Sequence, residues 1–259
     1  MSRQGTRFSI MIAGSKGSGK SSFFNNIVGK NIITNEISDE INVYMLNLDC
    51  EGVMQKITFV DTPGFDTINE KEIQGNVISF IKEQFDLFMA EETKIRRNPK
   101  YEDTRIHLLL YFLSATGAGL KQSDLIFLEK AKELVNIVPI ISKADGLTPE
   151  ETVEYKQLIK EQFEMYNIPI FDLNNYDHGE EEELDLNSLV PFTVISGENK
   201  TKKINNLFIE VDNPNFNDLS VLREIILSTH IDVFVDETAS VLYEKYRTKA
   251  LESALEENK

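Results

Sequence analysis

Residues 14–21 read GSKGSGKS, and their types and spacing suit phosphate binding. The stretch matches the pattern G-x4-G-K-[S/T], lies after an apolar run and opens a helical pattern. Glycines let successive main-chain N–H groups point at phosphate oxygens, the lysine reaches the terminal phosphates, and the hydroxyl after it can ligate magnesium. The alternative is a glycine turn with an exposed lysine. We predict a phosphate site formed by Gly14, Ser15, Lys16, Gly17, Ser18, Gly19, Lys20, Ser21 and Ser22.

A second motif, DTPG at 61–64, follows the apolar stretch 56–60. Asp61 is placed where a carboxylate would meet magnesium together with Ser21, directly or through water. The N–H of Gly64 is placed where a main-chain donor could sense a terminal phosphate. The motif alone is weakly specific, and its position after a strand supports it.

A third motif, SKAD, ends the apolar stretch 136–142 and contains Lys143 and Asp145. An aspartate accepts hydrogen bonds from both the ring N–H and the exocyclic amine of guanine, whereas adenine offers neither donor at that edge. The alternative is a surface ion pair between the two side chains. The three motifs in this order predict binding of GTP or GDP, with Mg²⁺, in preference to ATP.

Alternating strands and helices are needed to bring these motifs together. Apolar runs predict strands at 8–13, 42–48, 56–60, 106–113, 136–142 and 190–196, and helical spacing occurs at 20–29, 70–90, 123–134 and 149–166. A hairpin over 198–212 and helices over 216–230 and 233–258 follow. The pattern predicts an α/β fold with a doubly wound, mostly parallel sheet, in which ligands bind at the carboxyl ends of the strands.

Composition narrows the possible functions. The chain has 259 residues, 41% of them hydrophobic, and a net charge of −16, which favours one large core and disfavours nucleic acid as a partner. One cysteine excludes an internal disulfide, and with three scattered histidines it excludes a usual structural zinc site. His107, His178 and His230 are predicted to have structural or solvated roles. Because the chain has no apolar run of membrane-spanning length and no signal-peptide pattern, we expect a cytoplasmic protein.

Beyond the nucleotide motifs, two long segments resemble the septins, which are filament-forming GTPases. These are LLLYFLSATGAGLKQSDLIFLEKAKELVNIVPIISKADGLTPEE at 108–151 and EVDNPNFNDLSVLREIILSTHIDVFVDETASVLYEKYRTKAL at 210–251. The resemblance covers about residues 6–251 and implies a P-loop GTPase core at 6–197, with a septin-type hairpin and C-terminal helices at 198–259 packed on it. It also implies assembly with other septin-like subunits, through a nucleotide-pocket face and a terminal face, in cytokinesis or the cortical cytoskeleton.

The resemblance also implies further site residues. Ser196 and Gly197 lie where the family's base-contacting loop ends. Septins that hydrolyse GTP use a threonine in the first switch segment, and Ser38 lies at that place with Thr34 nearby. We therefore expect Ser38 or Thr34, with Gly64, to serve cleavage. Ras-like enzymes place a water-orienting glutamine after DxxG, but this chain has Phe65, so we predict slow hydrolysis.

Other positions depart from the septin pattern. Ala118 replaces a histidine that reaches a phosphate at the pocket-side interface, and the family's GRxYPWG hairpin sequence, the basic N-terminal helix and the coiled-coil tail are absent. We therefore expect membrane contact to be weak or indirect. Glu150 and Glu151 have two interpretations, as the start of a helix or as a nucleotide contact across a dimer. A monomeric switch and a subunit that holds GTP without hydrolysing it remain alternative functions.

Overall fold

The computed structural model describes residues 7–33, 39–50, 53–96, 98, 101–115, 118–174, 185–197, 201–204, 207–210 and 217–257. Its main sheet consists of β1 (Phe8–Gly14), β2 (Asn42–Cys50), β3 (Val53–Asp61), β4 (Leu108–Ser114), β5 (Asn136–Ser142) and β6 (Phe192–Val194), in the order β2-β3-β1-β4-β5-β6. β2 is antiparallel to β3, and the other neighbouring pairs are parallel. The predicted mostly parallel α/β sheet is confirmed.

β1 explains why the central strands are almost continuously apolar. Ile10 and Ile12 point into one hydrophobic core, and Met11 and Ala13 point into a second core on the opposite face of the sheet. All four side chains are fully buried. Because helices cover both faces, successive residues of a central strand are equally shielded from water.

Helices cover the two faces of the sheet unequally. α1 (Lys20–Val28) contributes to the first core, whereas α2 (Glu70–Glu92), α3 (Gln122–Ala131) and α4 (Pro149–Met165) contribute to the second. A short helix, α5 (Leu186–Leu189), precedes β6. No helix in the described ranges is long and apolar enough to span a bilayer.

A series of helical elements occupies residues 219–257. It comprises α6 (Leu219–Glu224), a π-helical turn (Ile225–Thr229), α7 (Ile231–Glu237), a second π-helical turn (Thr238–Leu242) and α8 (Tyr243–Glu257). Phe234 is fully buried in the first core, whereas Leu242 and Tyr243 belong to the second. These helices therefore complete both cores, and the boundary between residues 197 and 198 stays a prediction.

The C-terminal region also contains a short hairpin, and its last helix leaves the core. The predicted hairpin is present as β7 (Thr201–Ile204) paired antiparallel with β8 (Leu207–Glu210). The last helical segment packs on the second core through Leu242 and Tyr246, whereas Leu255 is 68% exposed. The last turns of α8 therefore extend beyond the core.

A buried polar network ties the start of β5 to the C-terminal helices. The Asn136 side-chain amide donates to His107 O at 2.8 Å and to Thr238 Oγ1 at 3.1 Å. Thr238 Oγ1 in turn donates to Phe234 O at 2.8 Å. His107 Nδ1 accepts the N–H of Ser9 at 3.0 Å, which supports a structural role for this histidine. The network pairs polar groups that burial would otherwise leave without water.

Candidate nucleotide-binding site

The phosphate loop joins the end of β1 to the start of α1. Gly17 and Gly19 have positive φ angles of 74° and 88°, which a residue with a side chain rarely adopts. Gly14 passes so close to Phe112 that a Cβ there would collide with the Phe112 carbonyl oxygen. The first turn of α1 begins at this loop and lines the cleft, and the N–H groups of a first helical turn, which lack partners within the helix, suit a phosphate site.

Lys20 lies beneath this loop, with only 7% of its surface exposed. Its Nζ donates to Gly14 O at 3.0 Å and to Ser15 O at 3.1 Å. Burial lowers the pKa of Lys20 to about 8, an effect that the negative charge of Asp61 partly opposes. Burial raises the pKa of Asp61 to about 6, and the charge of Lys20 partly opposes that shift. A phosphate beside Lys20 and a cation beside Asp61 would favour the charged form of each.

The DTPG segment folds against the phosphate loop. Lys16 N donates to Phe65 O at 2.9 Å, and Phe65 N donates to Gly14 O at 3.1 Å. A Cβ on Gly64 would lie 2.5 Å from the Cα of Lys16, so a side chain at Gly64 would force the two segments apart. The requirement for glycine here has a steric cause, and it sets the Gly64 main chain beside the phosphate loop.

Phe65 is part of the second core. Its ring is 4% exposed and packs edge-on against Phe127, with 5.0 Å between ring centroids. Tyr111 lies on another side at 6.3 Å. An apolar ring held inside the core has no group that could orient a water molecule for attack on phosphate.

The proposed metal ligands Ser21 and Asp61 both line the cleft, at the start of α1 and the end of β3. A hydroxyl and a carboxylate suit Mg²⁺, which prefers oxygen ligands and keeps several waters. In the part of the chain that the structure describes, no cluster of three or more His, Cys, Asp or Glu side chains could hold a metal ion. Phosphate oxygens and water would complete the coordination of Mg²⁺, which these two residues fit.

At the other end of the cleft, Lys143 has a left-handed backbone, with a φ of 56°, and precedes a 3₁₀ turn (Ala144–Gly146) that contains Asp145. Ser142 is buried, and its Oγ donates to Leu113 O at 3.0 Å. This bond ties the end of β5 to β4 and fixes the point from which the turn projects. Asp145 is half-buried in that turn.

An asparagine that the sequence analysis missed holds the second loop of the predicted guanine side. The Asn26 amide donates to Gly197 O at 3.1 Å, and Asn26 Oδ1 accepts the N–H of Gly197 at 3.2 Å. Arg223 in α6 donates to Asn26 O at 2.9 Å. Ser196 and Gly197 are thus anchored to the same helix that begins with Lys20. A second asparagine in the otherwise apolar stretch FFNNIV is the only sequence signal of this contact.

The cleft has a volume of about 670 Å³. It is lined by residues 16–22, residues 61–64, Asp66 and Lys143, together with Asp39, Asn42 and Tyr44, which the sequence analysis did not single out. A shallower depression of about 480 Å³ on α8, around Glu244 and Lys249, contains none of the three motifs. We therefore take the larger cleft as the candidate site.

Among the described residues, Asp145, Ser196 and Gly197 of the predicted guanine side are not part of the cleft lining. Ser38 and Thr34 fall outside the described residues. Ala118 is exposed in the loop after β4. Thr148 and Glu151 form a reciprocal cap at the start of α4: Thr148 N donates to Glu151 Oε2 at 2.8 Å, and Glu151 N donates to Thr148 Oγ1 at 3.2 Å. This cap confirms the helix-start interpretation for Glu151.

Comparisons with known proteins identify what the chain is similar to. The family model described as Septin matches residues 4–259. Cell division control protein 11 of Encephalitozoon cuniculi (strain GB-M1) is 52% identical over 261 residues, covering 98% of each chain. The crystal structure of Cdc11 from Saccharomyces cerevisiae is similar with a TM-score of 0.65 at 29% identity, over 94% of this chain and 99% of that one. A septin GTPase domain from Chlamydomonas reinhardtii gives a TM-score of 0.69 at 17% identity, over 94% of this chain and 98% of that one, which supports the fold alone.

Proposed function

This chain belongs to the septin family, and from that premise we propose that it binds GTP or GDP with Mg²⁺, hydrolyses GTP slowly, and assembles with other septin-like subunits. Its relatives are named as cell division control proteins and septins. The corresponding location would be the cytoskeleton of the cell cortex or division site.

The observation that carries the proposal is that Lys20 and Asp61, two groups of opposite charge, line the same cleft. Both side chains are withdrawn from water, and burial shifts the pKa of each toward neutrality. Bound phosphate and magnesium would relieve both costs at once, because each supplies the opposite charge to one of these groups. The first turn of α1 lines the same cleft, where its N–H groups could bind phosphate oxygens.

Guanine selectivity rests on Asp145, and a substitution tests it. Competition against labelled GDP should show ADP binding more weakly than GDP by at least about a hundredfold. Asp145→Asn should lower GDP affinity by about a hundredfold and improve xanthosine diphosphate binding, because an amide N–H can donate to the carbonyl that xanthine carries in place of the guanine amine.

Glu164→Gln is a matched control, since it removes the same charge at an exposed position near the end of α4. It should leave both affinities unchanged. Equal affinity of the native chain for GDP and ADP would contradict guanine selectivity, and so would an unchanged preference in the Asp145 variant.

Slow hydrolysis is inferred from Phe65, whose buried ring leaves water positioning to other groups. We propose that the Ser38 hydroxyl, with Thr34 as the alternative, and the Gly64 N–H act on the terminal phosphate. Ser38→Ala should then lower single-turnover hydrolysis of bound GTP without loss of GDP affinity. An unchanged rate would leave Thr34 as the candidate, and no hydrolysis in the native chain would favour the subunit that holds GTP without cleaving it.

Assembly is proposed from the family, with one observation that favours a rival. Ala118 is exposed and carries no group that could contact phosphate across a pocket-side interface, which favours a monomeric switch. Light scattering at low salt separates the two functions, because assembly gives dimers or longer rods. A protein that stays monomeric in every nucleotide state would contradict the assembly proposal.

A further inference from the structure

The phosphate loop carries a second lysine, Lys16, at the end of the cleft near Gly64. Its main-chain N–H bonds to Phe65 O at 2.9 Å, and its Cα lies against Gly64. The Lys16 side chain lines the cleft and is 51% exposed. Since the Gly64 N–H is the proposed sensor of the terminal phosphate, Lys16 starts beside the place that phosphate would take, within reach of a lysine side chain.

In the structure, Lys16 is paired with Asp66 instead. Lys16 Nζ lies 3.1 Å from Asp66 Oδ2, and the Asp66 side chain is 31% exposed. The hydrogen bond from Lys16 is the largest of the influences that lower the pKa of Asp66. Asp66 directly follows Phe65, whose ring is fixed in the core, so the carboxylate stays near the cleft.

Such a pair is easily exchanged. Ion pairs between partly exposed side chains contribute little to stability, because water and salt screen them. A terminal phosphate carries more negative charge than one carboxylate and offers three acceptor oxygens, so it would compete well for the same ammonium group.

We propose that Lys16 makes the cleft prefer GTP over GDP, by leaving Asp66 and binding the terminal phosphate when that phosphate is present. With GDP, Lys16 stays on Asp66. The exchange would place a positive charge, in addition to Lys20 and Mg²⁺, on the phosphoryl group that is transferred. It would also release the Asp66 carboxylate at the loop that leads into α2. This inference rests on the proposed guanine-nucleotide binding.

The test measures dissociation constants for GDP and for GTPγS, with magnesium, in four forms of the full chain: native, Lys16→Gln, Asp66→Asn and the double variant. Lys16→Gln should weaken GTPγS binding about tenfold and change GDP binding by less than about twofold. Asp66→Asn should strengthen GTPγS binding about two- to threefold, because it removes the competing partner. In the Lys16→Gln background it should have no effect.

Lys30→Gln is the matched control, because it removes the same charge at an exposed residue just after α1. It should change neither affinity. Thermal unfolding of each nucleotide-free variant should match the native chain, since both side chains of the pair are partly exposed.

Three results would overturn the inference. The first is an equal loss of GDP and GTPγS affinity in Lys16→Gln, and the second is no loss of either. The third is an equal gain from Asp66→Asn with and without Lys16, which would mean simple repulsion between Asp66 and the phosphate. If the native chain bound neither nucleotide, the proposed function would fail together with this inference. Each of the three results above would overturn only the inference and would leave the proposed function intact.

Discussion

Nucleotide binding should be coupled to proton uptake at Lys20. In the empty cleft, burial lowers the pKa of this ammonium group from 10.5 to about 8. Phosphate beside Lys20 favours the charged form, so the complex holds the proton throughout the neutral range. Affinity for GDP should therefore fall as pH rises, because more of the free protein has lost the proton that the complex needs.

The size of this change in GDP affinity follows from the pKa of Lys20, which is about 8. Lys20 in the free protein is protonated in about nine-tenths of molecules at pH 7 and in about a quarter at pH 8.5, so Kd for GDP should rise about fourfold over that interval. At pH 8, binding should take up about half a proton. Saturating magnesium keeps the phosphates and Asp61 ionised throughout, so that their titration does not obscure the effect.

Isothermal titration calorimetry at pH 8, in two buffers with different ionisation enthalpies, measures the proton uptake directly. Lys20→Met should bind GDP weakly and without pH dependence. Lys30→Met, a change at an exposed lysine outside the cleft lining, should keep the native pH profile. A native Kd that is constant between about pH 7 and 8.5, with no proton uptake, would refute the assignment of Lys20 as a buried ammonium that binds phosphate.

Two further substitutions test the positioning of the site. Gly14→Ala should lower the free energy of unfolding by about 2–4 kcal/mol in chemical denaturation, because the new Cβ collides with Phe112 O and φ is 145°. The control is Gly29→Ala, where φ is also positive but nothing lies within 4 Å of the new Cβ, and it should lower the free energy of unfolding by about 1 kcal/mol. Equal losses in the two variants would contradict the steric argument. Asn26→Ala removes both hydrogen bonds to Gly197 and should weaken GDP binding about three- to tenfold while leaving pyrophosphate binding unchanged. An equal loss of affinity for GDP and for pyrophosphate would show that Asn26 does not act through the guanine side.

Short, local patterns carried most of what the sequence could predict. The glycines and Lys20 of the phosphate loop are constrained by backbone geometry within a few residues, so the motif defines them without the rest of the fold. Central strands were recognisable because burial on both faces makes them apolar throughout, as in β1. The DTPG and SKAD motifs singled out Asp61 and Lys143, and both line the cleft because parallel strands end at one edge of the sheet.

Contacts between distant segments could not be predicted in the same way. Asn26 and Gly197 are 171 residues apart, and Lys16 and Asp66 are 50 residues apart. Each pairing depends on how elements pack in three dimensions, and polar residues in loops and helices occur too often for composition to select them. The extension of α8 into solvent depends likewise on where the core ends.

The nucleotide that the purified chain retains shows whether the cleft is a guanine-nucleotide site. The purified chain would be incubated with equal amounts of GTP and ATP and excess magnesium, separated from free nucleotide by gel filtration, and heat-denatured. The released nucleotides would then be identified and quantified by chromatography. We predict guanine nucleotide at close to one per chain, part of it as GDP that has accumulated through slow hydrolysis. Release of adenine nucleotide, or of no nucleotide at all, would contradict the assignment of this cleft as a guanine-nucleotide site.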